Sequence, residues 1–146
     1  MSEAGEARTA IIDAKGLILG RMASMVAKRL LNGERICIVN AEEAVISGKR
    51  LSTIREARDA LQIGHFRKGP FHPRRPDTIV KRVVRGMLPR TKPRGKEALK
   101  RLKVHIGVPR ELADRERETI SEADAGNLRG PYVKVSELAR NIGWNE

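Results

Sequence analysis

Residues 9–39, TAIIDAKGLILGRMASMVAKRLLNGERICIV, decide the architecture. Thr9 to Asp13 is a short apolar run, and Gly16 marks the turn that follows it. From Leu19 the apolar residues Leu19, Met22, Val26, Leu30 and Leu31 recur at helical spacing, with Ala23 and Ala27 inside the same arc. Arg21 and Lys28 fall on the opposite side. Gly33 suits the left-handed position that closes a helix. Ile36-Cys37-Ile38-Val39 is continuously apolar and β-branched except at Cys37, the composition of a strand buried on both faces. A helix between two strands at this separation is a βαβ unit, with parallel strands and a right-handed crossover.

Downstream, Ala44-Val45-Ile46 ends at Ser47-Gly48, and Thr53 with Glu56 has the pattern of a capping box for a helix to about Leu61. The stretch from His65 to Pro76 carries Arg67, Lys68, Arg74 and Arg75 with three prolines and no hydrophobic period, so it reads as a stiffened loop. Asp77 or Thr78 then caps a helix that ends at Pro89. Its apolar positions Ile79, Val80, Val83, Val84, Met87 and Leu88 occupy one half of the cylinder, while Lys81, Arg82 and Arg85 occupy the other. Arg90 to Lys96 continues as basic loop before a short helical turn over Glu97 to Arg101. Val104 to Gly107 and Tyr132 to Val135 read as strands, and Ser136 as the cap of a last helix containing Leu138 and Ile142. The class is α/β: a three-layer α/β/α domain with a small, mostly parallel sheet and a basic loop-helix extension over about residues 65–103. A chain of 146 residues is right for one domain, residues 1–146, burying roughly 70% of its unfolded surface.

The charge is confined to that extension. Residues 65–103 hold fourteen Lys or Arg against two acids, while the rest of the chain carries equal numbers of each sign, so the whole formal charge of +12 sits there. Cations gathered without acids need an anion or solvent to compensate them, which points to a polyanion. Folded RNA suits better than duplex DNA. The 77–88 helix offers no Asn or Gln to read base edges, whereas RNA read by shape through phosphates and 2′-hydroxyls needs none. Only Phe66 and Phe71 lie among the cations, too few for a single-strand stacking platform, and they read best as anchors of the loop on the body. The acidic residues of 111–124 read either as a solvated face or as a surface that meets a basic neighbour.

Other function classes are weakly supported. Gly16 to Gly20 sits where a dinucleotide fold places its phosphate turn, but lacks GxGxxG and the P-loop ending, and reads as a structural turn. Cys37, His65, His72 and His105 match no zinc spacing, and a lone cysteine excludes an internal disulfide and fits a reducing compartment. Asp13 is best explained as an Asx-type turn former, since no nucleophile or paired base accompanies it. Ser47-Gly48-Lys49-Arg50 reads equally as a phosphate contact or a turn cap. No stretch approaches a membrane span, and the N-terminal residues lack an apolar targeting segment, so a cytoplasmic protein is expected.

Four blocks in order carry a family resemblance: Asp13 to Ser24 (DAKGLILGRMAS), Val39 to Lys49 (VNAEEAVISGK), His65 to Pro76 (HFRKGPFHPRRP) and Val84 to Pro89 (VRGMLP). Together they resemble the ribosomal protein L13 (uL13) family of the large subunit, in its archaeal and eukaryotic branch. The likeness covers nearly the whole chain from about Thr9. Where bacterial members have a glycine-rich, tyrosine-containing turn, this chain has Phe66 to Phe71, so bacterial contacts do not transfer there. The resemblance implies a structural constituent of the large subunit, in the cytoplasm, with large-subunit rRNA and neighbouring ribosomal proteins as partners. It implies no enzyme activity, no cofactor, no membrane and no small-molecule substrate. The residues expected at rRNA are His65, Arg67, Lys68, His72, Arg74, Arg75, Lys81, Arg82, Arg85, Arg90, Lys92, Arg94, Lys96 and Lys49. The alternative readings are a free RNA-binding regulator and, less well supported, an enzyme acting on RNA or a nucleotide.

If about eight of these cations reach phosphates, a plot of log affinity for rRNA against log salt should have a slope of about −6 to −7. Filter binding across a salt series measures it, and a slope near −2 would refute so broad a contact.

Overall fold

The computed structural model describes residues 9–63, 67, 69 and 72–145. Strand β1 (Thr9–Asp13), helix α1 (Leu19–Leu31) and strand β2 (Arg35–Val39) form the expected βαβ unit, with β1 and β2 parallel and in register from Thr9↔Arg35 to Asp13↔Val39. Strand β3 (Val45–Ser47) and helix α2 (Arg50–Leu61) follow, then α3 (Pro76–Gly86), α4 (Pro93–Lys100), β4 (Leu102–Val104), β5 (Tyr132–Lys134) and α5 (Val135–Asn141). β4 adds parallel to β2, giving the order β1-β2-β4, while β3 and β5 pair antiparallel as a separate ribbon. The sheet is therefore mostly parallel.

Side chains alternate across it. Ile12, Ile36, Ile38 and Leu102 face the main core, where α1 packs Met22, Val26 and Leu30, α3 packs Val80 and Val84, and Leu88 and Ala98 join from the α3–α4 region. Ile11, Cys37 and Val39 face the other way and are covered by Val108 and Leu112, the latter in a 3-10 turn over Arg110–Leu112. That layer is thin. The chain then returns to the open edge of β1, where the Glu118 N–H donates to the Ile11 carbonyl and the Asp13 N–H donates to that of Glu118. The Glu118 carboxylate also pairs with Arg29 of α1, which holds Glu34 at 2.9 Å as well. Part of the acidic 111–124 stretch is thus an edge guard.

Several boundaries move from the sequence expectation. α2 starts at Arg50 with Lys49 as its cap, so Thr53 lies inside the helix, its N–H donating to the Lys49 carbonyl. The β3–β5 ribbon ends in a turn at Gly48 (φ +134°), which delivers the chain into the helix at once. α3 begins at Pro76, because a proline's fixed φ suits the first helical position better than Asp77 or Thr78 needs to act as cap. Thr78 Oγ1 instead donates to the Arg75 carbonyl. α3 also ends at Gly86, before Pro89. Ser136 is buried inside α5, whose cap is Lys134, and β4 lies two residues earlier than expected. The basic loop 90–96 is largely helix, since Pro93 starts α4 by the same device.

Gly95 explains why α4 sits where it does. A Cβ there would overlap the carbonyl oxygen of Pro89, so only glycine lets the first turn of α4 close on Pro89, in the link that follows α3. Gly95→Ala should lower the unfolding free energy by about 1–3 kcal/mol in urea titration, the usual cost of overpacking. Gly20→Ala, with open space at its Cβ position in α1, should raise it by about 0.5–1 kcal/mol. Equal effects would contradict the packing described. Burial pushes the Cys37 thiol up against the opposing pull of Lys103 and Arg115. Iodoacetamide at pH 8 should therefore modify Cys37 slowly in the native protein and quickly in urea.

Candidate nucleic-acid interface

Helix α3 places its charges by burying its other face. Val80 and Val84 are wholly buried in the main core, so Lys81, one residue on from Val80, stands exposed and Arg82 and Arg85 lie half-buried at the rim. α4 packs against α1 and β4 as α3 does, on the same core, and its Leu99 is half-buried. Two clefts result. One, of 530 Å³, is lined by His72, Pro73, Thr78, Lys81, Arg82, Arg85 and Leu99. The other, of 350 Å³, is lined by Arg85, Leu88, Arg90, Thr91, Gly95, Lys96 and Leu99. Arg85 and Leu99 belong to both, so the clefts adjoin as one groove with an apolar floor and cationic walls.

The expected site residues divide accordingly. His72, Lys81, Arg82, Arg85, Arg90 and Lys96 come together on the groove. Lys92 and Arg94 are exposed at the start of α4. Arg74 lies against Gly143 near the C-terminus, and Arg75 pairs with Asp77 at 3.3 Å and lines a different cleft. Lys49 stands exposed at the start of α2 and lines neither groove cleft, and Arg67 is exposed. His65 and Lys68, and with them Phe66 and Phe71, lie outside the described residues. Leu99, Thr78 and Gly95 were not singled out from sequence. Gly95 gave no signal because Arg90 to Lys96 read as loop; once α4 is seen to start at Pro93, a glycine inside it, costing about 1 kcal/mol, marks a close approach.

The groove lining gathers cations without a carboxylate. Outside it, Arg29 pairs with Glu34 and Glu118, Arg50 with Glu137, and Lys134 with Glu43. Among the described residues, Lys81, Arg85, Arg90, Lys92, Arg94 and Lys96 have no acidic partner, and no carboxylate lines either groove cleft. The Nε of Arg85 is buried with no hydrogen-bond partner among those residues. Such an array suits an anion with many acceptor oxygens, since guanidinium groups bind phosphate bidentately.

The other candidate positions have local roles. Asp13 accepts from the Lys15 N–H and from Asn40 Nδ2, both at 3.0 Å, which is the Asx turn expected of it. The Gly16 N–H donates to the Glu43 carbonyl and its own carbonyl accepts from Ala125, so this left-handed turn (φ +72°) is tied into the body. No helix among the described residues is long and apolar enough to cross a membrane.

Comparison with known proteins places the chain in a family. The model of the family "Ribosomal protein L13" matches residues 7–111. The large ribosomal subunit protein uL13 of Methanosarcina barkeri is 52% identical over 135 residues, covering 91% of this chain and 96% of its own. That of Methanopyrus kandleri is 50% identical, covering 92% and 86%, and that of Saccharolobus solfataricus is 39% identical, covering 99% of each chain. With a match of this extent and relatives aligned almost end to end, the chain belongs to the ribosomal protein L13 family.

Proposed function

We propose that the chain, acting as one domain, is a structural constituent of the large ribosomal subunit that lays the α3–α4 groove on folded rRNA. The observation that carries this is the gathering of Lys81, Arg85, Arg90 and Lys96 on one groove with no carboxylate in its lining, on helices whose opposite faces are locked in the core. Phosphates entering the groove would neutralise those cations and let RNA segments approach one another. Because the helices are already ordered, binding forfeits little side-chain and backbone freedom on the protein's side. The family's role is structural, and the reading needs no chemical step. Lys92 and Arg94 extend the surface at the start of α4, while Arg74, Arg75 and Lys49 would meet other parts of the RNA. Neighbouring ribosomal proteins would find the faces that the groove leaves free.

Arg85→Gln tests the centre of the groove. It should reduce the salt slope for a large-subunit rRNA fragment by about 0.7 to 0.9 if the guanidinium holds one phosphate. Lys28→Gln, on the exposed side of α1, should leave the slope unchanged. Identical slopes for wild type and Arg85→Gln, with both proteins folded by circular dichroism, would refute the assignment.

A further inference from the structure

A second cleft, away from the groove, has a different chemistry. It measures 620 Å³ and is lined by Glu42, Arg75, Ile106, Trp144 and Asn145. That is within the roughly 300–1,000 Å³ of small-ligand sites. Trp144 is half-buried yet belongs to neither hydrophobic cluster, so the largest apolar side chain of the protein is kept out of its core. Its position is set by backbone hydrogen bonds instead. At the end of α5 the Ile142 and Trp144 N–H groups both donate to the Ala139 carbonyl, at 3.1 and 2.9 Å, with Gly143 in the left-handed region at φ +115°. The Arg140 guanidinium lies 6.0 Å from the indole centroid, and Arg74 lies against Gly143. An aromatic plane is thus set among three arginines.

Glu42 supplies the opposite sign. One of its oxygens accepts the Gly107 N–H at 3.0 Å, which orients the carboxylate. It lines the same cleft as Arg75 without pairing with it, since Arg75 holds Asp77. A ligand complementary to this set has a flat ring to stack, N–H donors on one edge for the carboxylate, and a negative group for the arginine. Guanine is the RNA base with two adjacent N–H donors on its Watson–Crick edge. Adenine presents a ring acceptor there, and uracil a single N–H between two carbonyls.

We propose that this cleft is a pocket for one unstacked guanine of RNA, its base stacked on Trp144 and held at its edge by Glu42, with its phosphate against Arg75. Proteins recognise single-stranded RNA in this way, by splaying a base onto an aromatic or guanidinium plane and bonding its exposed edge. The proposal rests on the RNA-binding reading but on no residue of the α3–α4 groove. An acidic peptide fits less well, because Glu42 would repel it.

Trp144 is the only tryptophan, so its fluorescence reports on this cleft alone. The full chain is titrated at constant salt with an RNA hairpin carrying one bulged guanosine, and with versions bearing a bulged adenosine, an abasic bulge or no bulge. Affinity is followed in parallel by anisotropy of labelled RNA. The bulged guanosine should quench emission saturably, the adenosine about tenfold less tightly, as expected for loss of one paired base-edge contact. The abasic and fully paired hairpins should bind without quenching. Glu42→Gln should keep the quench and narrow the preference for guanosine. RNA binding with unchanged emission, or equal quenching by the abasic hairpin, would overturn the pocket and leave the groove reading intact. Failure of every hairpin to bind would overturn both, and quenching by polyglutamate but not by RNA would make the cleft a protein-docking site.

Discussion

The grip of α3 on the sheet is the constraint from which the rest follows. Val80, Val84 and Leu88 are buried on the same core as Ile12, Ile36 and Ile38, and each such side chain contributes about 1.5–3 kcal/mol. Repulsion among the cations on the outer side is weaker. Two like charges about 4 Å apart in water cost about 1 kcal/mol, and physiological salt screens them beyond about 8 Å. Packing therefore wins, and a row of lysines and arginines can be held in fixed relation without acids among them. That fixed relation is what a folded RNA would meet.

Gly95 and the paired prolines extend the same logic to α4. Pro76 and Pro93 each take the first helical position, and Gly95 lets α4 close against Pro89. Leu99 then supplies the apolar floor on which the two clefts adjoin. Without that close approach the basic residues after Pro89 would belong to a loop, and the groove would lack one wall.

Charge is also separated across the sheet. The α3–α4 layer carries the cations on one face, while the segment after β4 crosses to the other, where Val108 and Leu112 cover Ile11, Cys37 and Val39. On that segment exposed Glu111, Asp114 and Glu116 are balanced by exposed Arg110, Arg115 and Arg117, and Glu118 is spent on the edge of β1 and on Arg29. A molecule with a cationic layer on one side and a balanced one on the other presents a preferred side to a polyanion.

The sequence by itself determined the βαβ unit, the parallel pairing of β1 with β2, and the amphipathic character of α3, because continuous apolar runs, a 3.6-residue period and the short helical connection between strands are all local signals. It also located the cations, since charge counts need no coordinates. It misplaced the start of α2 at Thr53 and left Arg90 to Lys96 as loop, because capping and proline signals compete within a few residues and tertiary contacts choose between them. Only the tertiary structure decided which cations share a surface: Lys81, Arg82, Arg85, Arg90 and Lys96 converge, while Arg75 turns to Asp77 and the cleft of Trp144. The physical reason is that convergence depends on how two helices dock on one sheet face. That is a matter of non-local packing volume, which no local pattern of residues encodes.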